Sequence, residues 1–195
     1  MSYAALVEYF AKIEDLPIPV NAVLDRIRAT TDHKDIRLYP VERHNKAFRG
    51  AFRRLAYPTG KTYSHEFEIV CQILYGRDLS EEWKRLVIVK EALHIFDPEG
   101  SRVDTADKVR KLIPQVITPD LRGTPFGPAV DDYLGVFRAM AILLPRHART
   151  KLKVARDADR RTTTEIADYV KLPDYYVDIW LDVGAEAEPQ LLKRK

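Results

Sequence analysis

The spacing of apolar and polar residues divides the chain into helix-period and strand-period stretches. Residues 3–13 set Leu6, Tyr9, Phe10 and Ile13 along one side of a short helix. Pro17 and Pro19 end it, and residues 20–30 resume helical spacing with Val20, Val23, Leu24 and Ile27. The period then shortens. Ile36-Arg37-Leu38-Tyr39 reads as a strand closed by Pro40. Residues 47–56 read as a second strand, because Gly50 weakens a helix and Phe48 and Phe52 share a face at even spacing. Pro58-Thr59-Gly60 signals a turn, and His65 to Tyr75 supplies the β-branched and aromatic residues of a third strand.

Helical spacing returns after Ser80, a good N-cap, with Glu81 and Glu82 suited to the positive end of a helix. That helix runs to about Phe96, where Pro98-Glu99-Gly100 stops it. Residues 103–113 read as helix, Pro114 to Pro128 as an irregular loop, and 129–143 as a long helix through Val130, Tyr133, Leu134, Phe137, Met140 and Ala141. Leu143-Leu144-Pro145 closes it. Residues 146–160 are basic and mixed, and Thr162 to Leu181 reads as helix, turn, helix. The stretch from Gly184 is polar and is expected to fray.

Composition narrows the class. The chain has 195 residues, 46% hydrophobic and 31% charged, which suits one ordinary globular domain. A net charge of +3 does not by itself imply a nucleic-acid partner. The single cysteine, Cys71, lies in the apolar run Ile69 to Leu74 and reads as a buried, inert thiol. It fits a reducing compartment. No apolar run approaches the ~20 residues of a membrane span, and no basic-then-apolar leader opens the chain. A cytoplasmic location without membrane attachment is the expectation.

The candidate chemistry sits on the helix after Ser80. Zinc peptidases use H-E-x-x-H, two histidines four apart on one helical face with a glutamate beside the first. Here the five residues are Lys90-Glu91-Ala92-Leu93-His94, so lysine stands where the first histidine belongs. On a helix, Trp83, Leu86, Val87, Lys90, His94 and Asp97 share one broad face, with Glu91 at its edge. The plain reading lets Lys90 reach solvent at the rim and makes His94 a satisfied core histidine.

The order of the segments is similar to that of the ImmA/IrrE family of HExxH metallopeptidase-like proteins. Leu16-Pro17-Ile18-Pro19-Val20 matches its opening Leu-Pro turn. Arg85 to His94 keeps the spacing of its motif helix, R-F-x-x-A-H-E-L-G-H. Gly135 to Pro145 resembles the second half of E-x-x-A-N-x-F-A-A-x-L-L-M-P, and Thr163 to Leu181 resembles the segment that follows. The resemblance implies an α+β fold, a mainly helical, zincin-like domain over residues 1–183 with a small antiparallel sheet from residues 36–74. Residues 162–182 would be a helix-turn-helix-like subdomain and 184–195 a polar tail.

The departures shape the expected function. Lys90 replaces the first ligand, and Leu134 falls at the third, acidic ligand's place about eleven residues before Pro145. Catalytic zinc needs three protein ligands and an open position. The leading expectation is therefore a non-catalytic relative with no cofactor, in which the Lys90 ammonium fills the vacated site by pairing with Glu91, Asp97, Asp131 or Asp132. Such a protein would bind a protein partner, a transcriptional regulator for instance, in a phage or mobile-element setting. The alternative is a hydrolase with zinc on a rebuilt site of His94, Asp97 and Asp131, with Glu91 as general base. A DNA-binding regulator comes third. The acidic second helix of the C-terminal pair, Asp174 to Asp182, argues against it, whereas Arg149, Lys151 and Lys153 are its candidate anion contacts.

Overall fold

A computed structural model describes residues 2–42, 49–58, 67–97 and 127–193, with side chains given for all of these except 127–133. The expected helix at 103–113, the loop from 114, Phe48, and Thr59-Gly60 lie outside the described residues.

The chain is α+β. Helices α1 (Tyr3–Phe10) and α2 (Val20–Thr30) precede strands β1 (Asp35–Val41), β2 (Gly50–Pro58) and β3 (Phe67–Gly76). Helix α3 (Glu81–Leu93) ends in a 3-10 turn, His94–Phe96. Then come α4 (Gly127–Leu143), α5 (Arg146–Asp157), α6 (Thr163–Val170) and α7 (Asp174–Lys193). No helix among the described residues is long and apolar enough to cross a membrane.

The sheet is mixed, not antiparallel as expected. Its order is β1-β3-β2, with β1 parallel and β2 antiparallel to β3. The β2–β3 pair is a hairpin, but β1 enters the sheet on β3's far side and in its direction. Period-2 patterning sets which face a side chain takes but not the direction of its neighbour. Pro40 does not close β1; it lies inside it, which an edge strand tolerates. Ile36, Cys71 and Ile73 point to the helical side and join the core, with Leu38 and Phe52 packed against it.

Helix α3 is central. It lies on β2 and β3 and packs against α2 and α4. Arg85 to Val89 and Glu91 to Leu93 are all buried, so the expected single apolar stripe wraps the whole helix. Fully burying Leu86, Val89 and Leu93 contributes about 1.5–3 kcal/mol each. That outweighs the cost of the polar groups carried in with them. Arg85 is among those, and it donates to the carbonyls of Ile18 (2.8 Å) and Lys171 (3.0 Å). Ser80 holds the N-cap position but makes no side-chain capping bond.

The stretch from Gly184 differs most from expectation. Helix α7 continues through it to Lys193 and buries Gly184, Glu188 and Leu191. Val177, Leu181, Gly184, Glu188 and Leu191 follow one another at three- and four-residue steps, with Trp180 beside Leu181, a core-facing stripe interrupted by one glutamate.

Candidate functional site

The site is built from the end of α3, its 3-10 turn and the middle of α4. Lys90 lies one turn before His94, and Asp97 one step of three beyond it, so α3 and its turn stack them on one side. Lys90 is largely withdrawn from solvent. Its side chain is 11% exposed, and its ammonium bonds Glu91 Oε1 at 2.8 Å. Its stem runs along Gly135 of α4, where a Cβ would stand 3.3 Å from Lys90 Cγ. The glycine lets the long side chain lie flat between two packed helices.

His94 joins two carboxylates. Its Nδ1 lies 2.6 Å from Asp97 Oδ2, and its Nε2 lies 3.5 Å from Glu91 Oε2. Asp97 also receives Arg138 Nη1 from α4 at 2.8 Å. The result is a buried chain of alternating charge: Lys90, Glu91, His94, Asp97, Arg138. Burial pushes the His94 imidazole down, but the Asp97 bond and the Glu91 charge outweigh it, and the imidazole titrates above its ordinary value despite the nearby Lys90 ammonium. Asp97 moves the other way. Burial pushes its carboxyl up, yet the bond and charge of His94 and the Arg138 guanidinium hold it below the usual range.

Two further elements close the site. Phe52 of β2 stacks on the His94 ring at 6.0 Å between centroids. Gly50 of β2 sits so close to Val87 and Glu91 that a Cβ would overlap the Val87 side chain. Arg138 is tied back to α1, where the Tyr3 hydroxyl donates to its carbonyl at 3.2 Å. Burial pushes the Tyr3 phenol up.

Lys90, Glu91, His94 and Asp97 are thus together. Leu134 is half-buried and lines a shallow recess with Gln190, Leu191 and Lys193 of α7, so its neighbour Gly135, not Leu134, is what α4 presents to Lys90. Asp131 and Asp132 belong to α4, and their side chains lie outside the described ones. Arg138 and Phe52 were missed from the sequence. Arg138 had a signal, a lone charge within the apolar run from Leu134 to Pro145. Phe52 had none, because its place over His94 depends on where the sheet packs.

Among the described residues the donor set does not suit zinc, since no three of His, Cys, Asp and Glu converge as a metal set. Glu91 Oε1 already carries an ammonium, which leaves, among the described side chains, one imidazole nitrogen and one carboxylate oxygen where three ligands are needed.

The basic stretch after Pro145 is also resolved. Arg149 is not an anion contact on the surface. It is buried, bonds Glu188 Oε2 at 2.8 Å, and stacks over Trp180. Its guanidinium lies across Gly184, where a Cβ would stand 2.8 Å from Nη1. Arg146 joins Glu188 at 2.8 Å from the other side. Lys151 is exposed and pairs with Glu14, while Lys153 reaches Asp157 and Asp182. Arg156 pairs with Asp157, Asp178 and Asp182. The acidic residues of α7 therefore answer the basic ones of α5 within the molecule.

No family model, curated protein or solved structure matches this chain.

Proposed function

We propose that this protein is a metal-free, non-catalytic relative of the ImmA/IrrE peptidases that acts by binding a protein partner. One observation carries the reading: the Lys90 ammonium lies against Glu91, the residue that would serve as general base. A protonated lysine cannot ligate a cation, and its charge repels one. The pair is matched in charge, and Asp97 and Arg138 extend the match around His94. Such a network adds specificity to a core more surely than stability.

A second reading has one observation in its favour. Asp97 on Nδ1 orients His94 as a second-shell carboxylate orients a zinc-bound histidine, with Nε2 facing away from it. An altered hydrolase would use that nitrogen with a carboxylate from α4. Metal analysis of protein purified from zinc-supplemented culture decides between them. The metal-free reading expects far less than one zinc per chain. Stoichiometric zinc that disappears in His94→Ala overturns it.

A further inference from the structure

The outer edge of β2 is open among the described residues. The sheet stops there, and the backbone bond from Gly76 N to Arg49 O (3.0 Å) fixes which groups face outward. Arg49 and Gly76 are a hydrogen-bonded pair, so bonding alternates along the ladder. Ala51, Arg53, Leu55 and Tyr57 turn their amides to β3. Gly50, Phe52, Arg54 and Ala56 present N–H and C=O to the outside, and Pro58 ends the row. A long free edge of this kind is a template for another strand.

The side chains beside it are charged and unanswered. Arg53 and Arg54 are both exposed, and neither has an ion pair or hydrogen bond among the described residues. The cations of α5 differ, as they are matched by Glu8 of α1, by Glu14 and by acidic residues of α7. Adjacent strand residues point to opposite faces, so the two arginines straddle anything that pairs with this edge. The opposite edge of the sheet is blunted: β1 carries Pro40, and its Arg37 holds Asp35 at 2.5 Å.

We infer that β2 takes an extended, acidic protein segment as an added strand, with carboxylates on both faces of that segment meeting Arg53 and Arg54. The inference rests on the protein-binding reading and names the partner's chemistry. A second copy of β2 is a poor occupant, because it brings the same two arginines to the same edge.

The test uses the full chain and a fluorescein-labelled peptide, Thr-Val-Glu-Glu-Val-Thr, followed by anisotropy at low and high salt. Binding is expected, weaker at high salt, and absent for the Thr-Val-Lys-Lys-Val-Thr counterpart. R53A and R54A each weaken it about two- to fivefold, the range of one cross-strand charge pair. N-methylation of one alternate set of peptide amides abolishes binding, and methylation of the other set is tolerated, since only one set faces β2. No binding overturns the inference, and so does equal tolerance of both methylated sets. An oligodeoxynucleotide of similar length that displaces the label better than unlabelled peptide overturns it in favour of a polyanion surface. The two readings fail separately. Stoichiometric zinc with intact peptide binding removes the metal-free reading and leaves the edge site standing; zinc-free protein that ignores the peptide does the reverse.

Discussion

Among the described residues the molecule buries two clusters of paired charge besides the carbonyl-bonded Arg85, and the two are built differently. Around His94, the ion pairs are mostly local: Lys90, Glu91, His94 and Asp97 all fall on one helix and its turn, and among the described pairs Arg138 alone comes from elsewhere. Around Glu188, they are entirely remote: Arg146 and Arg149 of α5 meet a glutamate thirty-nine or more residues away in α7. The first cluster contains an imidazole raised above its ordinary value. The second is a carboxylate between two guanidiniums. Local spacing exposed the first cluster to inspection of the sequence, and the second had no local sign at all. The difference also assigns roles. The remote cluster fastens α7 to α5, and on the function proposed above the local one stands where a metal site would be.

The comparison can be broken most severely at Glu188. Glu188→Gln leaves Arg149 buried without a counter-charge, and a loss of about 3–5 kcal/mol is expected. The urea midpoint of unfolding measures it; a loss below about 1 kcal/mol would mean that α7 is held by its apolar stripe alone. Lys90→Met comes next, at about 3 kcal/mol, because Glu91 keeps His94 nearby at 3.5 Å. Adding Glu91→Leu to Lys90→Met removes both charges and is expected to recover most of that loss, which a double-mutant cycle reads directly.

The third prediction uses pH to separate the clusters. The folded value of His94 lies above its unfolded one near 6.5, so its contribution is complete below that pH and is lost as pH rises through the raised value. Asp97 is depressed from about 3.8, so its contribution is present above that pH and is lost as pH falls through the lowered value. His94→Gln is expected to flatten the limb on the alkaline side, by about 1–2 kcal/mol for one charged hydrogen bond partly open to water. Thermal unfolding followed from pH 5 to pH 9 checks this, and an unchanged slope would remove His94 from the network's energetics. The smallest effect belongs to the exposed pairs of α5. Lys153→Ala is expected to change stability by no more than about 0.5 kcal/mol, since both of its carboxylate partners are themselves half exposed. A larger change at low salt alone would show that the α5–α7 charges act as a network.

The elements were largely legible from spacing. The α2 range follows from spacing residue for residue, and each of the three strands overlaps the stretch that period-2 patterning marks, although β1 runs through Pro40 to Val41 and β2 through Pro58. The sheet's mixed topology was not legible, since facing and direction are independent properties of a strand. The tail was misread for a different reason. Gly184, Glu188 and Pro189 each lower helix propensity or apolar content locally, yet packing against α5 outweighs them. In the site, Lys90, Glu91, His94 and Asp97 were legible as a group from helical spacing, with Glu91 one of several carboxylates open to Lys90, and packing selected it. Phe52 over His94 and Arg138 on Asp97 were not, because both depend on how β2 and α4 are brought to α3.

The sequence by itself determined the helix that carries Lys90, Glu91 and His94, and so set the Lys90 ammonium one turn before His94 with Glu91 at the edge of their face. The 3.6-residue turn is enough for that. Only the tertiary structure decided that the ammonium is enclosed, that Asp97 is shared between an imidazole and a guanidinium, and that Arg149 is a buried tie to Glu188. Those outcomes follow from desolvation. A charge excluded from water takes the nearest opposite charge that packing supplies, and packing brings together residues the sequence holds far apart.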